Sequence, residues 1–219
     1  MASTDLVLAC HAEATCDVAG IIGGPRGCTG LTARGTRQAE RLATRLAAEH
    51  RCRRFDAVYT SPRRRAADTA TIIAGVLALP ATVAEPLRDL DPGDADGRPR
   101  HDVEAAFLGA PPDSPDQPYA AGAETWNQYL RRATGVLHAI ARRHRGQRVL
   151  VVGHPDTITA CHVLLLAVAP DARLGLRFHT DPTGLTWWRR EVDPVGRAVW
   201  ILAAHNDLAH LRGEPTAPS

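Results

Sequence analysis

The chain has 219 residues, which is enough for one well-buried core, so we predict a single domain over 1–219 with a disordered tail at about 213–219. Its composition, 44% hydrophobic and 23% charged, is typical of a globular protein. The formal net charge of +2 is too small to predict a nucleic-acid or membrane partner. No apolar run approaches membrane-spanning length, and we expect a cytoplasmic protein.

The cysteines and the basic residues narrow the choice further. The five cysteines are odd in number and form no C-x-x-C pair, so they indicate neither a disulfide framework nor a zinc site. We therefore predict no metal and no cofactor. Arginine supplies all 26 basic side chains. The arginine runs at 51–54, 63–65 and 142–148 predict solvated helix ends, with Arg65 as the one exception.

The first part of the chain alternates strands with helices. Apolar runs bounded by turn residues predict buried strands, and runs with apolar residues on one helical face predict helices. In chain order these elements are a strand at 6–10, a Gly-rich loop at 18–30, a helix from an N-cap at Thr32 to about 50, a strand at 55–60, and a helix with Pro62 in its first turn that runs to about 79. This alternation is typical of a parallel sheet.

The second part continues the pattern after an irregular region. The predicted elements are a strand at 82–85, an acidic loop at 87–100, a helix at 101–108, a Pro-rich excursion at 109–122, a helix from about 124 closed by Gly146, a strand from 148 ending at His154, a helix from 155 to about 169, strands at 185–191 and 198–203, and a final segment at 205–211. We predict a three-layer α/β/α sandwich with a mainly parallel central sheet.

Two predicted strands end in histidine, His11 and His154, and Arg65 lies one helical turn past a Ser-Pro pair. Because the carboxyl ends of parallel strands meet at one edge, these side chains are expected to share a pocket with a carboxylate of the acidic loop. An imidazole nucleophile, a cation for the phosphoryl oxygens and an acid suit phosphoryl transfer through a covalent histidine. A purely structural histidine at a strand end remains the alternative.

Seven segments, in the same order, resemble the motifs of the histidine phosphatase superfamily, also called phosphoglycerate mutase-like. LVLACHAEA is similar to the strand and R-H-G-E motif of that family, GLTARGTRQAERLATRL to its L-T-x-x-G-x-x-Q-A helix, and YTSPRRRAADTA to S-P-L-x-R-A-x-Q-T-A. The other four segments are PLRDLDPGDADG, GAETW, VLVVGHPDTI and AHNDLAHL, the last resembling the phosphatase branch. The resemblance covers nearly the whole chain and implies the phosphoglycerate mutase-like fold and phosphatase activity.

The resemblance also implies a role for each matching residue. His11 would be the phosphorylated nucleophile, and Arg65 would clamp the phosphate. His154 would contact the phosphoryl group and stabilise the transition state. Asp89 stands where the family has its acid/base carboxylate, usually glutamate, so its shorter side chain must lie nearer the leaving oxygen.

Three weaker matches complete the candidate site. Glu124 and Asn206 occupy motif positions near the pocket, where a structural hydrogen-bonding role and a substrate contact are both open. Arg132 is expected to be a solvated or ion-paired helix residue.

The chain also departs from the family pattern. Cys10 and Ala12 replace the arginine and glycine of the first motif, and Asp17 replaces the asparagine that follows it. The lost arginine is a phosphate ligand, so phosphatase activity should be weakened unless another cation, for which Arg26 is the candidate, takes its place. A Cys10 thiolate nucleophile is the alternative to an inert buried cysteine.

The leading hypothesis is a phosphomonoester hydrolase of a small phosphorylated metabolite, acting through a phosphohistidine at His11. One alternative keeps the pocket but uses His11, His154 and Asp89 for non-phosphatase acid/base chemistry, such as hydrolysis, dehydration or cyclisation in specialised metabolism. Another is a catalytically inactive binding module. The expected partner is a small, anionic molecule, and a homodimer is left open.

Overall fold

The computed structural model of the chain describes residues 3–169 and 176–212, so the tail predicted to be disordered lies outside the described residues. The strands are β1 (Thr4–Cys10), β2 (Ala57–Thr60), β3 (Ala81–Val83), β4 (Arg148–Gly153), β5 (Leu185–Val192) and β6 (Ala198–Asp207). The helices are α1 (Thr15–Val18), α2 (Ala33–Cys52), α3 (Arg64–Leu77), α4 (Arg100–Phe107), α5 (Trp126–Arg143) and α6 (Pro155–Leu165).

The six strands form one sheet in the order β3-β2-β4-β1-β5-β6. Strands β1, β2, β3 and β4 run parallel, whereas β5 pairs antiparallel with both β1 and β6. In the central pair, Cys10 lies opposite Gly153, so the residues that follow them leave the sheet side by side. The structure confirms the mainly parallel sheet and explains why His11 and His154 meet.

Helices cover both faces of the sheet and enclose two hydrophobic cores. Helices α5 and α6 pack with Leu6 and Leu8 of β1 on one face, and α2 and α3 pack with Val7 and Ala9 on the other. The strand period of two sends alternate side chains of β1 into opposite cores. The three-layer α/β/α sandwich is therefore confirmed.

Several boundaries differ from the predicted ones. Helix α3 begins at Arg64 rather than at Pro62, because Arg63 is still extended and its amide donates to Ser61 Oγ at 3.2 Å. Helix α6 ends at Leu165, before the predicted end near 169. Strand β6 continues to Asp207, since pairing with β5 extends into the segment predicted to follow the sheet.

Arg148 is buried, so the prediction of a solvated run at 142–148 is wrong at this residue. Its side chain is only 2% exposed and lies between the rings of Phe55 and Trp187, 4.1 and 4.4 Å from their centroids. It donates to Glu49 Oε2 at 2.5 Å and to the Arg53 carbonyl at 2.9 Å. Paired charge and aromatic stacking offset the cost of burial, which a run of like charges does not reveal.

Thr125 caps helix α5 and gives a prediction about stability. Its hydroxyl accepts from the Gln128 amide at 3.2 Å, and Gln128 Oε1 accepts from the Thr125 amide at 2.9 Å. Thr125→Ala is expected to lower the free energy of unfolding by about 1 kcal/mol, measured by urea denaturation. Thr134→Ala on the same helix is the control, and an equal loss in both variants would contradict the capping role.

Candidate active site

The two histidines lie at the carboxyl edge of the sheet. His11 follows β1 and His154 follows β4, and they are 5% and 0% exposed. Their rings meet edge to face with centroids 5.3 Å apart. The structure thus brings together two imidazoles that are separated by most of the chain.

His11 is held in one orientation by its own loop. Its Nδ1 lies 2.8 Å from the Ala12 carbonyl, and a carbonyl only accepts, so Nδ1 carries the proton. The Ala12 amide donates to Thr69 Oγ1 at 3.0 Å and fixes this turn. Burial and the neighbouring Arg65 guanidinium lower the pKa of His11, so the imidazole is neutral and its Nε2 lone pair is available.

Arg65 is the central cation of the site. It comes from the first turn of α3, and its side chain is 5% exposed. Its Nε donates to His11 Nε2 at 3.0 Å, its Nη1 donates to the Gly23 carbonyl at 2.6 Å, and its Nη2 donates to Asp89 Oδ2. The guanidinium therefore joins the nucleophile candidate to the acid candidate.

Asp89 lies between Arg65 and His154. Its Oδ2 is 3.4 Å from His154 Nδ1, while His154 Nε2 lies 2.8 Å from Ser61 Oγ. Burial favours the neutral carboxyl, but the Arg65 guanidinium in contact with Asp89 outweighs it and lowers the pKa of Asp89. Burial lowers the pKa of His154 well below its ordinary value. Before a ligand enters, the site therefore holds an ionised Asp89 and a neutral His154.

Cys10 and Asp17 lie beside this group. Both line a cavity of about 340 Å³ together with His11, Arg65 and Asp89. Burial raises the pKa of Cys10, so its side chain is a thiol rather than a thiolate nucleophile. The Asp17 carboxylate lies 4.0 Å from His11 Nδ1.

Arg26 is not brought to the cavity. Its side chain is 72% exposed and lies 3.5 Å from Asp96 Oδ2, on the outer side of the Gly-rich loop. The Asp96 carboxylate also accepts from the backbone amide of Arg26 at 2.8 Å. In this structure Arg26 therefore pairs with Asp96 of the acidic loop and does not reach the cavity around His11.

Glu124 and Asn206 form structural contacts near the site. Glu124 accepts from Arg132 Nε at 2.9 Å, so Arg132 is ion-paired. Asn206 Nδ2 donates to Asp181 Oδ2 at 2.8 Å, and its Oδ1 accepts from the Asp181 amide at 3.0 Å. Neither Glu124 nor Asn206 lines the cavity around His11.

Two charged residues outside the predicted site, Arg100 and Asp156, also line that cavity. Asp156 lies in the first turn of α6, two residues after His154, and burial and the negative charge of Asp89 raise its pKa to about 7. The sequence did contain a signal for Asp156, because its carboxyl group follows a strand-end histidine by two residues. Arg100 begins α4 and carried no such signal, because its position depends on how the acidic loop folds.

Residues 3–169 and 176–212 were searched for metal-binding groups and for membrane-spanning helices. Within them, no group of three or more histidine, cysteine, aspartate or glutamate side chains is arranged to hold a metal ion. No helix in this part of the chain is both long and apolar enough to cross a membrane.

The fold and the site define a class of α/β protein with paired imidazoles, a guanidinium and a carboxyl at the carboxyl edge of its sheet. The sequence pattern of the histidine phosphatase superfamily (branch 1) matches residues 6–199. The chain belongs to that superfamily, and its enzyme class is that of a hydrolase.

Known relatives agree with this assignment. The metal-independent phosphoserine phosphatase of Arabidopsis thaliana is 30% identical over 95% of this chain and 83% of its own length. The solved structure of Bacillus stearothermophilus YhfR is 26% identical, with a TM-score of 0.77 over 95% of this chain and 100% of that one. A mycobacterial glucosyl-3-phosphoglycerate phosphatase, 21% identical with a TM-score of 0.77 over 93% and 99% of the chains, shares the fold.

Proposed function

We propose that this protein hydrolyses a phosphomonoester of a small metabolite through a phosphohistidine at His11. The observation that carries the proposal is the orientation of the His11 imidazole. Its Nδ1 proton is held by the Ala12 carbonyl, and its Nε2 lone pair meets Arg65 Nε at 3.0 Å, where a phosphoryl group would enter. A neutral, fixed imidazole beside a guanidinium is what nucleophilic attack on phosphorus requires.

In the first step, His11 Nε2 attacks phosphorus while the bond from phosphorus to the ester oxygen breaks. Arg65 transfers its hydrogen bond from Nε2 to a phosphoryl oxygen and neutralises charge in the transition state. Neutral His154, whose Nε2 is held by Ser61, donates from Nδ1 toward the phosphoryl group. The leaving alkoxide takes a proton from Asp89.

Asp89 takes up that proton from solvent water when the substrate binds. In the free site the Arg65 guanidinium keeps the carboxyl ionised. A phosphate that enters adds negative charge and takes over part of the guanidinium, and both effects raise the pKa of Asp89. In the second step, Asp89 accepts a proton from water, which attacks the phosphohistidine and releases inorganic phosphate from Nε2.

The relatives support a small, anionic, phosphorylated substrate. The curated Arabidopsis relative is named for phosphoserine, and the structural relative from mycobacteria for glucosyl-3-phosphoglycerate. Both names describe phosphomonoesters of small hydroxy compounds. The active-site cavity of about 340 Å³ is of the size that such molecules occupy.

The proposal predicts a covalent intermediate. Brief mixing with p-nitrophenyl phosphate or phosphoserine, followed by an alkaline quench, is expected to add one phosphoryl group to the peptide that contains His11. Mass spectrometry of the intact protein and of its peptides measures the adduct. His11→Gln is expected to remove it, whereas His101→Gln, at a histidine whose side chain is 82% exposed, should keep it.

The same experiment addresses a second candidate function. Cys10 and Asp17 make the pocket less cationic, which favours acid/base chemistry by His11, His154 and Asp89 on a ligand without phosphate. An adduct on a different residue, or turnover that persists in His11→Gln, would refute the phosphohistidine route. Loss of activity in His11→Gln without any adduct would favour the second candidate.

A further inference from the structure

A second cavity of about 430 Å³ lies beside the catalytic one. It is enclosed by the start of α5, the first turns of α6 and the segment that precedes β5. Its apolar walls come from Trp126, Pro155, Val163, Leu176 and Phe178. Pro155, Asp156 and Thr180 line both cavities, so the two spaces adjoin along these residues.

Asp156 lies at this junction, where it lines both cavities. It accepts no hydrogen bond and forms no ion pair with any residue in 3–169 and 176–212. The charges that act on it are Asp89, which repels it, and Arg100 and Arg65, which attract it without forming an ion pair. A carboxylate that is enclosed beside another carboxylate gains most from a cation that a ligand brings in.

The charged groups of the second cavity have other partners. Arg177 forms an ion pair with Asp113, and His179 Nε2 lies 3.2 Å from Asp181 Oδ1. Neither residue therefore supplies the counter-ion for Asp156. The remaining lining is mostly apolar, which excludes water at little cost when an apolar group enters.

The size of the second cavity sets the size of its occupant. A side chain as small as that of serine would end within the catalytic cavity and leave the neighbouring 430 Å³ to water. An aromatic ring or a branched alkyl group fills such a space and contacts Trp126 and Phe178.

We propose that the substrate is the phosphate ester of an amino alcohol with an apolar side chain, whose ammonium group pairs with Asp156 and whose apolar group fills the second cavity. This substrate class rests on the phosphatase function proposed above. The order of groups follows from the order of the cavities: phosphate at His11, amine at Asp156, and the apolar group beyond Pro155. Asp156 is then a specificity residue rather than a catalytic one.

Four phosphonates that cannot be hydrolysed separate the contribution of the ammonium group to binding from that of the apolar group. They are butylphosphonate, 3-aminobutylphosphonate, 4-phenylbutylphosphonate and 3-amino-4-phenylbutylphosphonate. Isothermal titration calorimetry gives the Kd of each for the wild-type chain. We expect the amine to lower Kd about 10-fold and the phenyl ring to lower it about 30-fold.

Two variants test whether the gain in affinity from the amine depends on Asp156 and whether the gain from the phenyl ring depends on the second cavity. Asp156→Asn is expected to remove the gain from the amine and keep the gain from the ring. Thr159→Phe, which places a ring in the second cavity, is expected to remove the gain from the phenyl group and keep that from the amine. Asp102→Asn and Thr71→Phe, at exposed positions on other helices, are matched controls that should keep both gains.

Wild-type Kd ratios near one, or ratios unchanged in both variants, would overturn the proposed substrate class. So would an absence of binding by all four phosphonates. Because these ligands are not turned over, the affinities are independent of the phosphohistidine experiment. A normal phosphohistidine with Kd ratios near one refutes only the substrate class, whereas clear ratios without any phosphohistidine refute the phosphohistidine route.

Discussion

Replacing Arg65 by methionine is expected to lower kcat/KM for a phosphomonoester by about 10³- to 10⁵-fold. The guanidinium is 5% exposed and contacts His11 Nε2 at 3.0 Å and Asp89, so one side chain orients the proposed nucleophile and holds the proposed acid. Methionine has a similar length but no charge, and it leaves Asp89 without a cation in contact. Steady-state kinetics with the most reactive member of a phosphomonoester panel measures the loss.

Arg64 provides the matched control for this experiment. It precedes Arg65, but its side chain is 66% exposed and lies 3.6 Å from Asp68, away from the site. Arg64→Met is therefore expected to change kcat/KM by less than about threefold. Arg65→Lys should fall between the two, because an ammonium keeps the charge but cannot reach His11 and Asp89 together. Equal activity in Arg64→Met and Arg65→Met, with matching thermal melts, would contradict the role assigned to Arg65.

The sequence was sufficient to predict the central pair of the site. His11 and His154 each end an apolar run, and a parallel register places such ends together without any knowledge of the helices. Arg65 was predictable for the same reason, since it lies at the start of the helix that follows a neighbouring strand. These placements depend on local patterns and on one topological rule.

The position of the Arg26 side chain could not be predicted from the sequence, because contacts between distant parts of the chain determine it. Asp96 accepts hydrogen bonds from the amides of Gly24, Arg26 and Gly27 at 2.8 to 2.9 Å, and these bonds fold the Gly-rich loop around a carboxylate about 70 residues away. That fold turns the Arg26 side chain outward. A pattern of glycines predicts a loop but not which residue will organise it.

The burial of Arg148 escaped prediction for a related reason. Its neighbours in sequence, Arg142 and Arg143, are exposed, as the run predicts. Arg148 is the first residue of a central strand, and its partners Glu49, Phe55 and Trp187 come from α2, the segment before β2, and β5. Charge counting treats the run as uniform, whereas the boundary between helix and strand passes through it.

The site also predicts that activity rises when Cys10 is replaced by arginine. Cys10 lines the catalytic cavity with His11, and three carboxyl groups, Asp17, Asp89 and Asp156, line it as well. The resemblance to the family places an arginine at this position. A second guanidinium beside Arg65 would add a charge-assisted hydrogen bond to the phosphoryl group, and we expect kcat/KM to increase about 10- to 100-fold.

Cys10→Met is the control for side-chain length without charge. Residue 10 is only 1% exposed and packs in the core that contains Leu8, so a longer neutral side chain is expected to lower stability without raising activity. Arginine has the same packing cost but extends its charged end into the cavity, next to Asp17. A Cys10→Arg variant no more active than Cys10→Met would show that the pocket does not lack a phosphate ligand. A gain confined to arginine would show that the scaffold still supports phosphoryl transfer and that the natural cysteine limits it.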